Sequence, residues 1–308
     1  MQIRRNDFDV TNRIQTTDPA AVSVEIARLF SLLYPGASHA IMDRAFIDIA
    51  RLYQGTYPGY QACDTAYHDL QHILDVTLAM ARLMDGYERA RRDSAPLGMQ
   101  LFQLGIIIGL FHDMGYLKHA DDKATKSGAV YTINHVSRGA IFLKNYLPQI
   151  GLAEFAEAGS ELIHFTGFEK RVAHILIEEP ILRLLGSLLG SADIIAQMAD
   201  RCYLEKCRDR LYPEFVDGGI TTKKSIGGES EVVFESGEDL VQKTPAFFDG
   251  AVKRLEVDLG GAYNYAATHF GGFNLYMHAA TKNVHFAKQI GTETGRFLRR
   301  AMPDEPKS

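Results

Sequence analysis

Along most of the chain, apolar residues recur every three or four positions, the spacing of one buried helix face. "AAVSVEIARLFSLLY" (20–34) and "AIMDRAFIDIARLYQG" (40–55) predict two amphipathic helices. "YHDLQHILDVTLAMARLMDGYERARR" (67–92) predicts a longer one that ends in a solvated basic tail. "SAPLGMQLFQLGIIIGLFHD" sets Pro96 near a helix start and runs apolar into His112 and Asp113. Residues 115–130 are polar and glycine-bracketed, which predicts a loop. Helical spacing resumes at 134–147, 152–165 and 178–211, the last read as two helices meeting around Gly190 and Ser191. Residues 216–237 differ: five glycines and the β-branched run "EVVF" predict a small hairpin or a flap. Helical patterns then return to the end. The pattern predicts an all-α fold in one domain over 1–308. Its core spans about 60–212, an insertion lies at about 213–243, and C-terminal helices at about 244–302 form a cap.

Composition narrows the function classes. The 308 residues are 46% hydrophobic, enough for a sizeable core. The net charge of −5 gives no sign of a basic face for a nucleic-acid duplex. Cys63, Cys202 and Cys207 are too few, and odd in number, for a disulfide framework, which fits a reducing compartment. The N-terminal stretch has no apolar leader, and "LGIIIGLF" (104–111) is too short to cross a bilayer. The expectation is a cytoplasmic protein without a membrane partner.

The candidate chemistry lies in histidines and aspartates at apolar positions. His68 and His72 are four residues apart, so on a helix they share a face. Asp75, three residues on, is expected to orient His72 from behind. His112 and Asp113 end the most apolar segment of the chain, where an unpaired carboxylate would cost several kcal/mol. His135 stands at a helix start, His164 ends "ELIHF", and Asp193 interrupts "LLGSLLGSADIIAQM". Imidazoles and carboxylates on separate helices suit zinc, iron, manganese or cobalt better than an all-oxygen calcium site. Lys118 and Arg138 are the basic residues nearest the site in sequence, and either can hold a phosphate. His119, His174, His269, His278 and His285 are expected to be structural or on the surface.

The set "YHDLQH", "GLFHDMGY" and "GSAD", over roughly residues 60–212, resembles the HD-domain superfamily of metal-dependent phosphohydrolases. The tyrosine-histidine-x-x-x-histidine start is similar to its cyclic-nucleotide phosphodiesterase branch. The resemblance implies an HD-type helical bundle and an enzyme holding divalent ions, two by expectation, from among Zn, Fe, Mn, Mg and Co. It implies His72, His112, Asp113 and Asp193 on the first metal. Asp113 would bridge to a second, supported by His135 and His164. The reaction implied is attack of metal-activated hydroxide on phosphorus, with His68 protonating the leaving oxygen. The substrate implied is a small phosphoester of nucleotide type. The chain departs from the pattern at "IHFTGFEK", which lacks the double histidine of the cyclic-di-GMP enzymes, and at Tyr116, where those enzymes tend to have lysine. No glutamine matches the base-reading position of the cyclic-nucleotide enzymes, and Asn274 in "GGFNLYMH" is the stand-in.

Two other readings remain open on the sequence. Members of the same superfamily with a di-iron centre perform oxygenase chemistry on the same ligand series. A non-catalytic ligand-binding or signalling module would keep the helical fold and lose ligands, which this chain retains.

Overall fold

The computed structural model describes residues 4–123, 125–224, 230–291 and 297–303. The fold is all-α, as the periodicity predicts. Helices α1 (Pro19–Leu33) and α2 (Ala40–Tyr53) come first. Asp18 starts α1 by accepting a hydrogen bond from the Ala20 amide, and Pro19 occupies the first turn. The axis of the molecule is α3 (Leu70–Ala90), fully buried from Leu70 to Tyr87 except at Asp75, which is partly buried. It packs against α1, α4 (Gly98–Phe111), the later helix Pro180–Ala199 and the short helix Tyr265–His269. α4 has no polar face: every residue from Phe102 to Phe111 is buried. A helix apolar all round belongs inside a core, and this one delivers His112 and Asp113 at its end.

A short 3-10 turn, Met114–Tyr116, follows α4 and packs on α5 (His135–Gln149). Gly115 permits that approach, because a Cβ there would lie 1.7 Å from the His135 carbonyl oxygen. α6 (Ala156–Leu162) leads into a second turn, Ile163–Phe165. α7 (Pro180–Ala199) then crosses the core against α3 and α12. It is long and apolar enough to cross a membrane by composition, and most of it is buried here.

The expected break at Gly190 and Ser191 does not exist, since both lie inside α7. Gly190 instead lets the Phe165 carbonyl come close, because a Cβ there would sit 2.5 Å from that oxygen. The chain breaks at Asp200–Cys202, then forms α8 (Tyr203–Lys206), a π-turn at Cys207–Leu211 and α9 (Tyr212–Asp217).

The expected hairpin is present. β1 (Thr222–Lys224) pairs antiparallel with β2 (Ser230–Val232), Thr222 opposite Val232. α10 (Gly237–Lys253) runs through position 243 without interruption and ends in a second π-turn, Arg254–Asp258. α11 (Tyr265–His269) and α12 (Leu275–Ile290) complete the cap.

Candidate metal centre and its cavity

Three helices bring four donors to one point. His72 comes from the first turn of α3, His112 and Asp113 from the end of α4, and Asp193 from the middle of α7. The Asp113 Oδ2 lies 3.2 Å from Nε2 of both His72 and His112. Those two nitrogens face each other at 3.3 Å. Asp193 Oδ1 is 3.6 Å from the first and 3.9 Å from the second. His72, His112 and Asp113 form a buried group that can hold a metal ion. Asp193 is mid-helix, so it does not cap a helix start.

The chemistry of the donors fits a cation. His112 Nδ1 faces the Gly109 carbonyl at 2.8 Å, so Nδ1 carries the proton and Nε2 presents a lone pair to the cluster. His135 repeats the device. Its Nδ1 faces the Thr132 carbonyl at 2.8 Å, and its Nε2 lies 3.5 Å from the other Asp113 oxygen. Lone pairs and carboxylates turned on one another need a positive charge between them. Separations of 3.2–3.9 Å suit donors that each bind one ion at about 2.0–2.2 Å.

A proton can serve the same end. Burial alone would lower the His112 pKa, but Asp113, Asp193 and the Gly109 carbonyl push it up to about 9. Burial would raise Asp113, and the facing imidazoles hold it well below the usual carboxylate range.

His68 differs from its expected setting. α3 begins at Leu70 with Asp69 as its cap, so His68 precedes the helix and does not share a helical face with His72. The extended backbone at Asp69 nonetheless turns both rings into one cavity, 5.8 Å apart between centroids. His68 stacks on Tyr116 at 4.2 Å, and Tyr116 stacks in turn on His135 at 4.4 Å. Its Nδ1 meets Glu214 Oε2 at 2.5 Å, and the Tyr67 and His68 amides donate to the same carboxylate. Burial would lower the His68 pKa, but Glu214, with Asp113 and Asp193 behind it, raises it.

Asp69 links this region to the back of the site. One oxygen caps α3 through the His72 amide, and the other pairs with Arg210 of the π-turn at 3.0 Å. The turn therefore fixes the helix start that presents His72.

The remaining expected residues lie elsewhere. His164 is buried, but no ion pair or ring contact among the described residues joins it to Asp113; burial lowers its pKa, and Lys170, Glu161 and Glu169 are its charged neighbours. Its Nδ1 has no hydrogen-bond partner among the described residues. Lys118 pairs with Asp64 at 2.7 Å. The Arg138 guanidinium donates to the Gly115 and Leu117 carbonyls and lies over the Tyr131 ring. Asn274 caps α12 through the Met277 amide. None of these three lines the cavity. Asp75 faces away from His72, toward Asp200 and Lys206, where burial and Asp200 push its pKa up to about 8. His269 is a structural residue, paired with buried Asp85 at 2.6 Å.

A cavity of about 550 Å³ opens from the cluster. Its near wall holds His68, His72, His135, Asp113, Asp193 and Tyr67; its far wall includes Leu211, Phe215, Phe234, Leu240 and Phe247. The sequence reading missed Glu214 and Gln197 here and noted Tyr116 only as a departure from the family pattern. Glu214 had one faint signal, a carboxylate set among the aromatics of "LYPEF". No protein-family model matches the chain, and no curated protein matches it at a level that marks a relative.

Proposed function

We propose that this chain is a metal-dependent phosphoester hydrolase of the HD-domain type. The observation that carries the reading is the convergence of His72, Asp113 and Asp193 at the floor of a cavity that also exposes His68, with His112 buried directly behind them. His72, His112, Asp113 and Asp193 would hold one divalent ion. Asp113 and His135 would be the residues that hold a second. When bound, the ions would activate a water and offset negative charge on the phosphoryl oxygens. His68 would donate its proton to the leaving oxygen, and Glu214 would hold the ring in place and favour its protonated form. Tyr116 would fix the plane of the His68 ring by stacking.

Elemental analysis of protein purified without chelator, beside Asp113→Ala, tests the reading, followed by a phosphoester screen of the loaded protein. The expected result is about one to two transition-metal ions per chain, lost in the variant, and ester cleavage that follows metal content. Iron as the dominant metal, with oxygen consumed and no ester cleaved, would transfer the site to oxygenase chemistry. No metal after reconstitution would end the catalytic reading.

A further inference from the structure

The far wall of the cavity is apolar. Leu211 and Phe215 come from the π-turn and α9, Phe234 from just beyond the hairpin, and Leu240 and Phe247 from α10. Apart from histidines, Lys243 is the one basic side chain among the described lining residues. It is already held by Asp239 at 2.7 Å and by the Val233 carbonyl at 2.7 Å. Glu169 also lines the cavity, but it accepts the Val136 amide and the Ser137 side chain at the start of α5. A second phosphate would meet carboxylates and aromatic rings there. The apolar lining reaches the surface: Phe168, Ile133 and Phe247 line the cavity and are 81%, 67% and 45% exposed.

Building on the hydrolase reading, we propose that the substrate is a phosphoester with a single phosphate and a long apolar body, alkyl or aryl. The phosphate would sit at the His72–Asp113 end and the body against Phe215, Phe234 and Phe247. Pockets of this size draw affinity from apolar walls and orientation from a few polar groups, and here the imidazoles and the Asp113 and Asp193 carboxylates cluster at one end while Lys243 and Glu169 are engaged by Asp239, the Val233 carbonyl, the Val136 amide and Ser137. In the reaction, water gives up a proton to solvent as its oxygen bonds to phosphorus, the bond from phosphorus to the leaving alkoxy or aryloxy oxygen breaks, and the proton on His68 goes to an alkoxide that departs.

The test uses the metal-loaded full chain and 4-nitrophenyl alkyl phosphodiesters from methyl to dodecyl, with cyclic AMP and a nucleoside triphosphate alongside. A methylene fully buried is worth about fourfold in binding. The expectation is a rise in kcat/KM of about twofold or more per methylene up to octyl. Phe215→Ser should flatten that slope, as should Phe247→Ser at the partly exposed rim. A flat series, or a nucleotide cleaved in preference to the octyl ester, would overturn the inference and leave the hydrolase reading intact. If no ester is cleaved, the hydrolase reading fails. Calorimetry with methyl- to dodecylphosphonate then decides the inference on its own: affinity rising with chain length supports it, and equal affinities overturn it.

Discussion

His68 and Glu214 act as one unit, and their separation in sequence hides it. The ring lies at the cavity, and the carboxylate lies behind it, 5% exposed. If His68 is the general acid, His68→Ala should lower turnover about 10²–10⁴-fold on esters with an alkoxide leaving group. The loss should shrink for 4-nitrophenolate, which departs without a proton, and metal content should not change. Glu214→Gln gives a test of sign. Glu214 raises the His68 pKa, so removing its charge lowers it. A general acid works only while protonated, so activity should then be lost at lower pH as pH rises. A pH–rate profile with an unmoved alkaline limb would mean that Glu214 serves only the backbone of Tyr67 and His68. The donors His72, His112, Asp113 and Asp193 were legible in the sequence because each is a polar residue forced into an apolar stretch. Lys118, Arg138 and Asn274 were not separable from structural residues, because nearness in sequence carries no direction. Their partners are carbonyls, a cap and Asp64, all supplied by the fold.

At the scale of elements, helix existence could be read from periodicity and helix junctions could not. Gly190 reads as a breaker in sequence, yet it is a point of close approach between α7 and the Ile163–Phe165 turn. Asp69 reads as one more acid in "YHDLQH", yet it is the cap that leaves His68 outside α3. A glycine with a close neighbour and a glycine in a break look alike until the packing is known. Gly115 allows a direct test of this scale. Its hydrogen is all that fits between the Met114–Tyr116 turn and the His135 carbonyl. Gly115→Ala must push the turn and α5 apart, at about 1–3 kcal/mol of overpacking. Because α5 carries His135 and Asp113 heads the Met114–Tyr116 turn, the two donors proposed for a second ion should separate while His72, His112 and Asp193 stay. Metal titration of the folded variant should then show weakened binding of a second ion with the first retained.

Across the whole molecule, the N-terminal arm is fastened to the core by a buried ion pair. Arg82 of α3 donates to Asp9 at 2.5 Å and to the Tyr276 hydroxyl of α12 at 2.8 Å, with both charged side chains 2% exposed. Asp9→Ala leaves the guanidinium buried without its counter-charge and should cost about 3–5 kcal/mol in denaturant unfolding. Adding Arg82→Met to the same chain should recover part of that loss. Burial would raise the Asp9 pKa, and Arg82 with the Ile14 and Arg13 amides lowers it below the unfolded value. The stabilisation is therefore complete above the ordinary carboxylate range and is lost as pH falls through the lowered value.

The donor set also bears on how the chain is made. Asp193 lies far downstream of His72, so a ribosome-bound chain ending before α7 carries three donors and lacks the fourth. If the chain holds an ion as proposed, four-donor capture has to wait until α7 has docked on α3, and the ion's binding energy is then also folding energy. A captured ion would therefore mark a chain in which α3, α4 and α7 have met, while Arg210, which steadies the start of α3, comes still later in synthesis.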